Sequence, residues 1–285
     1  MDGGDFMTRT LDREEPKSIL TWKEMQRSQY DAVGLGEVEF GHWQLTKQLM
    51  QEHPLPIVST NVECLADGAW KPVGEKYRIV TVDGVKVGIL SVVSEELFNT
   101  LKKPEVENEL RVLPPMAEIE RTVDLLDPQV DMIVLLAHTE AKMLEQYASV
   151  QPKIDVVLGG HMTANDEMPI QIANAIVNRS GTRGQTLSTT RLIVSPTGQI
   201  VDFGGKNVTL DPGYKEDPTV LAEVQEVMEA ARPKPPVSSG QPAPNQRPPD
   251  LKVKEATGAT GGPKADTPKR EVEKKPGDQT EARKD

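Results

Sequence analysis

Two short apolar runs that each end in a histidine constrain this chain more than any other feature. Ile154 to Leu158 is a largely β-branched block followed by Gly159-Gly160-His161-Met162, and Asp131 to Leu136 is a second block followed by Ala137-His138. Runs of this length and makeup read as buried strands of a parallel sheet. Each delivers an imidazole at or just past the C-terminal end of its strand, the edge where open α/β sheets bind ligands and metals. One such histidine is ordinarily a hydrogen-bonded loop residue. Two of the chain's four histidines in the same topological position point instead to a site. The glycines before His161 leave no side chain to block the approach of backbone or ligand.

Around these runs, helix and strand signals alternate. The pattern predicts a polar helix near Thr21 to Tyr30, a strand at Asp31 to Leu35, a helix at Trp43 to Glu52 and a strand at Pro56 to Ser59. Tyr77 to Val82 and Val85 to Val92 form a hairpin through Asp83-Gly84, a two-residue turn signal. A helix is expected over Met116 to Leu126, with Ala117, Ile119, Val123 and Leu126 on one face. Strand Asp131 to Leu136, helix Glu140 to Val150 and strand Ile154 to Leu158 then make a parallel βαβ unit. A second hairpin, Arg191 to Ser195 and Ile200 to Phe203, turns through Pro196-Thr197-Gly198-Gln199. Interleaved helices, buried strands and terminal hairpins specify a layered α/β sandwich.

Charge divides the chain in two. From Arg232 onward Lys and Arg number 12 and Asp and Glu 8, so the net charge of −11 is about −15 on residues 1–231 and +4 on residues 232–285. An acidic folded part lacks the basic stripe a nucleic-acid partner needs and is compatible with divalent cations. Residues 232–285 carry proline clusters, Gly-Ala-Thr-Gly-Gly-Pro and mixed charges without one aromatic residue, and are expected to be a disordered Pro/Lys/Gly-rich tail. The alternative for this tail is a docking segment for a protein partner, or a spacer. Cys64 is the sole cysteine, which excludes an intrachain disulfide and a cysteine-rich zinc site. No stretch reaches the roughly 18 to 20 apolar residues of a membrane span. The opening Met1-Asp2-Gly3-Gly4-Asp5-Phe6 lacks the features of a signal peptide, and Asp2 to Asp5 reads as a loop that follows a strand, so the first strand is expected to be missing. Asn178-Arg179-Ser180 and Asn207-Val208-Thr209 fit the glycosylation pattern.

These residues resemble the calcineurin-like metallophosphoesterases, in particular the N-terminal catalytic domain of 5′-nucleotidases. That family uses, in order, Asp-x-His, Gly-Asp, Gly-Asn-His-Glu, a lone His and Gly-His-x-His. Gly4-Asp5 matches the second motif, and Gly36-Glu37-Val38-Glu39-Phe40 stands where Gly-Asn-His-Glu-Phe is expected. His138 matches the lone His and Gly160-His161 the start of the last motif. Pro56 to Asn61 and Gly84 to Leu90 resemble the intervening strands, and Val177 to Leu192 the closing segment, so the resemblance covers about residues 2–205.

The resemblance implies an α/β/β/α sandwich over residues 1–231 and a divalent metal, Mn, Fe or Zn, held by Asp5, Glu37, His138 and His161. It also implies one site rather than two. The second metal needs Asp-x-His, which the chain does not carry, and a final His, whose place is taken by Thr163. The family's acid imidazole maps to Val38. Loss of a general acid typically costs about 100-fold to 10,000-fold in rate, so no catalytic residue is assigned. The expected function is a divergent phosphoester hydrolase with an incomplete dinuclear site and weak or altered activity. Its alternatives are a non-catalytic metal-binding module and a fragment of an active enzyme. A phosphoester is the expected small-molecule partner. No nucleotide preference is expected, because nothing after about residue 231 offers a Phe or Tyr to stack a base. The resemblance suggests an exported protein if a signal peptide precedes this start. His42 and His53 are read as surface residues, His42 with an outer position near the metal loop as its alternative.

Overall fold

Strand β6 (Met132–His138) explains why the molecule is layered, because all of its residues are buried and alternate ones belong to different cores. Ile133, Leu135 and Ala137 join one apolar cluster with Ile119, Val123, Leu126, Leu144 and Tyr147. Met132, Val134 and Leu136 join another with Ala32, Val58, Leu192 and Ile200. A strand apolar on both faces must be covered on both. The computed structural model describes residues 1–12, 14–161, 166–195 and 198–231. Thr163 and the segment 232–285, on which expectations were placed, lie outside the described residues.

The first helices are α1 (Glu15–Arg27), α2 (Glu37–Gly41) and α3 (Trp43–Glu52). A three-stranded antiparallel sheet follows, β1 (Val62–Ala66), β2 (Ala69–Pro72) and the later β5 (Leu110–Val112). The main sheet opens with the hairpin β3 (Arg78–Val82) and β4 (Val85–Val93), whose Asp83 and Gly84 both take positive φ as the Asp-Gly turn requires. Helices α4 (Glu95–Phe98), α5 (Pro104–Glu109) and α6 (Pro115–Leu126) lead to β6. Helix α7 (Ala141–Val150) crosses to β7 (Val156–Gly160), and β8 (Ile170–Ile172) and β9 (Ala175–Arg179) complete the sheet. Its order is β3-β4-β6-β7-β9-β8, with β4, β6, β7 and β9 parallel and the edges antiparallel. The long hairpin β10 (Thr186–Val194) and β11 (Ile200–Thr209) precedes α8 (Pro218–Ala230).

Helices α6 and α7 cover one face of the main sheet. Across the other face lie residues of β10 and β11 together with Ala32 and Val58. Val33, Leu35 and Ile57, from the same extended segments, join Trp22, Phe40, Trp43 and Leu49 in a third cluster towards α1 and α3. This is the α/β/β/α order of the expected sandwich.

Two expectations change. The helix placed at Thr21 to Tyr30 runs from Glu15 to Arg27, because Pro16 near its start fixes a helical φ without needing a hydrogen-bond donor. Asp31 to Leu35 and Pro56 to Ser59 are extended but paired only through isolated parallel bridges, Val33 to Asp2 and Ile57, and Val58 to Glu75. Both sequon asparagines are tied down: Asn178 is buried, its amide donating to Thr190 Oγ1 at 2.8 Å, and the Asn207 amide donates to the Arg179 carbonyl at 2.9 Å.

Candidate metal centre

The C-terminal edge of the main sheet gathers the site. His138 is the last residue of β6, and His161 directly follows β7. Glu37 is the first residue of α2, and Asp5 lies in the loop after the Asp2–Val33 bridge. The structure brings together all four residues that the resemblance singles out, with one ligand atom of each lying within 4.8 Å of every other. Glu37 Oε2 is 2.7 Å from His138 Nε2, and Glu37 Oε1 is 3.1 Å from His161 Nδ1. Asp5 is 3.5 Å from His138 and 3.6 Å from His161. Asp5 and His161 both hold positive φ, 62° and 56°. Such backbone is costly for non-glycine residues and collects at functional sites.

Space around His138 is made by missing side chains. A Cβ on Gly36 would fall 2.3 Å from Asp5 Oδ1 and 2.5 Å from His138 Cε1, and one on Gly160 would fall 2.9 Å from His138 Nδ1. The same Nδ1 donates to the Gly3 carbonyl at 2.7 Å, which leaves Nε2 facing the cluster. A backbone acceptor that fixes the tautomer in this way is how proteins orient a metal-binding imidazole.

Electrostatics follow from burial and proximity. Burial works against a charged His138, but its hydrogen bonds to Asp5 and Glu37 and their charges outweigh that and raise it to about 10. Burial would raise Glu37, yet the hydrogen bond and charge of His138 hold it well below the usual carboxylate range. Without a metal, the pair is therefore ionised and hydrogen-bonded. Two imidazoles and two carboxylates, cradled where a Cβ would intrude, fit a divalent transition ion.

Two residues of the site, Glu39 and Arg9, went unassigned in the sequence. Glu39 is fully buried, and its carboxylate accepts backbone N–H groups of Asp5 at 2.8 Å, Met7 at 2.9 Å and Gly36 at 2.9 Å. It clamps the Asp5 loop to the start of α2. Burial, with the charge of Asp5, raises its carboxyl to about 7. Arg9 donates to Glu37 Oε1 at 2.9 Å and reaches Asp5 Oδ2 at 3.4 Å. His42, read as a surface residue, is half-buried, and burial pushes its ring below its ordinary value. Its neutral Nε2–H donates to the Arg9 carbonyl at 3.1 Å, the outer position held as its alternative. Glu39 and Arg9 are joined to the site across 28 to 34 residues of sequence, so no local spacing signals them. Val38 donates its N–H to Asp5 Oδ1 at 3.0 Å while its side chain is buried in the same apolar cluster as Phe40 and Trp43.

No family model matches the chain. It is 25% identical to human 5′-nucleotidase over 253 residues, covering 79% of this chain and 42% of the relative. It is likewise 25% identical to the snake venom 5′-nucleotidase of Crotalus adamanteus, with 80% and 42% covered. The chain thus spans less than half the length of these curated relatives. Among solved structures, the sulfate thiohydrolase SoxB of Thermus thermophilus superposes with a TM-score of 0.69 at 17% identity, covering 80% of this chain and 42% of that one. The calcineurin-like phosphoesterase YfkN of Bacillus subtilis gives 0.66 at 18% identity, with 81% and 82% covered. The fold is that of the calcineurin-like metallophosphoesterases. The curated relatives that the chain matches are 5′-nucleotidases.

Proposed function

We propose that residues 1–231 form a metal-dependent phosphoester hydrolase domain of the 5′-nucleotidase type, with one divalent cation held by Asp5, Glu37, His138 and His161. The observation that carries this reading is the convergence of the four donors within 4.8 Å at the C-terminal edge of a parallel sheet. The cation, when bound, supplies electrostatic stabilisation to charge developing on a phosphoryl oxygen. The chain's own residues do the rest: Glu39 fixes the Asp5 loop, the Gly3 carbonyl sets the His138 tautomer, and Glu37 spans both imidazoles.

Substrate is proposed at the level of phosphoesters, with nucleotides the first to try because the relatives named above are 5′-nucleotidases. A sulfate thiohydrolase with the same fold argues against reading the substrate from architecture alone. The venom relatives support an exported location. No described helix is long and apolar enough to cross a membrane.

Val38 favours a second reading, a metal-binding module without turnover. An apolar side chain buried where the family resemblance expects an imidazole offers no proton to a leaving group. One experiment separates the two. Elemental analysis should find one Mn, Fe or Zn per chain, lost in His161→Ala, and two tightly held metals would refute the single-site reading. Assays with aryl phosphates, phosphodiesters and nucleotides under added Mn should then show slow, His161-dependent hydrolysis. Metal binding without any turnover would select the second reading.

A further inference from the structure

Arg9 contacts the same carboxylate oxygens that a bound cation would need. Its Nη2 lies 2.9 Å from Glu37 Oε1 and 3.4 Å from Asp5 Oδ2. Those oxygens are also the ones that face His161 Nδ1, at 3.1 Å and 3.6 Å. The acidic partners are held from behind, Glu37 Oε2 by His138 and Asp5 Oδ1 by the Val38 N–H. The Arg9 side chain is the free member, 68% exposed against 7% for Glu37. Its backbone stays anchored, because the carbonyl accepts from His42. The guanidinium can therefore swing away without disturbing the loop.

We propose that Arg9 is an internal plug, a permanent cation that holds the Asp5 and Glu37 oxygens together in the metal-free protein and must withdraw for a divalent ion to load. The inference rests on the reading of the four donors as a metal centre. A guanidinium cannot shed its charge to make room, so it competes by position and by repulsion. An ion pair with one well-exposed partner is worth at most about fivefold in an equilibrium. Repulsion between the guanidinium and a nearby dication adds a factor in the same direction.

The test is calorimetric titration of chelator-stripped full-length chain with MnCl2, for the wild type and for Arg9→Gln, Arg9→Lys and His161→Ala. Arg9→Gln should bind Mn roughly five- to twentyfold more tightly, while Arg9→Lys, which keeps the charge, should stay near the wild type. The metal-free Arg9→Gln protein should also melt at or slightly below the wild-type temperature. A tighter metal with no gain in apo stability is a signature that a merely structural arginine would not produce. Equal, His161-dependent affinity in the wild type and Arg9→Gln would overturn the plug and leave the metal centre standing, as would Arg9→Lys behaving like Arg9→Gln. Absence of His161-dependent binding in every variant would overturn both.

Discussion

Replacing Gly36 by alanine should separate the architecture of the site from the stability of the fold. Gly36 has φ −105°, a conformation open to any residue, so alanine brings no backbone strain there. The entire effect comes from the added methyl group, which would stand 2.3 Å from Asp5 Oδ1, 2.5 Å from His138 Cε1 and 2.7 Å from His138 Nε2. Restoring ordinary contact requires a retreat of about 1 Å by both side chains. His138 has no room to give. His138 is 1% exposed, with its ring bonded to the Gly3 carbonyl and Gly160 packed against Nδ1. Overpacking of this kind costs about 1–3 kcal/mol. A metal site tolerates ligand displacements of only about 0.2 Å, so with two of four donors displaced the affinity should fall by about 100-fold or more, beyond the 10- to 100-fold of a lost outer contact. The assay is thermal unfolding with and without MnCl2. The wild type should gain stability from Mn, and Gly36→Ala should gain almost none. Gly84→Ala is the control: at φ 85° with nothing within 4 Å of the added Cβ, it should cost about 1–2 kcal/mol in strain and leave the Mn response intact. A Gly36→Ala protein that binds Mn as the wild type does would refute the argument that this glycine is kept for space.

Glu39, with its carboxyl raised to about 7, makes the metal-free fold lose stability as pH climbs from about 4.5 to 7, because the unfolded carboxyl ionises first; the loss is on the order of 3 kcal/mol. Glu39→Gln removes that dependence, so its disadvantage against the wild type should shrink between pH 5 and pH 8 in thermal melts, and parallel pH profiles would contradict the assignment. His138 holds its proton to about 10 and must release it to ligate, so Mn affinity should strengthen by up to about tenfold per pH unit from 6 to 8, with proton release visible as buffer-dependent calorimetric heats; a flat affinity would count against His138 as a ligand. Val38→His alone should destabilise the fold by about 1–3 kcal/mol, because the imidazole enters an apolar cluster, and should not raise phosphoester hydrolysis; a faster enzyme would show that the position reaches the reacting centre.

The parts of this molecule that are legible in sequence are those written locally. Strands β6 and β7 are short apolar runs, and helix α3 agrees with its expected span from Trp43 to Glu52. The Asp83-Gly84 turn was read directly, whereas the equivalent Asp67-Gly68 turn between β1 and β2 went unread because its flanking residues, half exposed and weakly apolar, do not announce strands. Helix α8 was missed although Asp217 caps it with bonds to the Thr219 and Val220 N–H groups, because no residue of its face is buried and periodicity alone is faint. Asp5 and Glu37 were found only through motif order. Nothing in Gly4-Asp5 says that its carboxylate will meet a helix 33 residues away.

Contacts around His138 show how such distant pieces come to define one centre. Gly3 and Gly160 approach so closely that a Cβ on Gly160 would lie 2.7 Å from the Gly3 carbonyl oxygen, the same oxygen that accepts from His138 Nδ1. Gly36 closes the opposite flank. Three backbone segments, from the first loop, the start of α2 and the end of β7, thus enclose one imidazole with almost no side chain between them, which is why the ring is 1% exposed. His161 is 23% exposed, and Arg9 more so. The cluster therefore has a sealed side at His138 and an accessible side at His161. Among the described residues, Arg9 stands on that accessible side, where an ion would approach. The acidic charge of the surrounding domain favours the arrival of a dication and opposes that of a phosphate ester. On the proposed function, a dication that takes the place of Arg9 on Asp5 and Glu37 would add the positive charge an anionic ester needs, so the cation would load before the substrate.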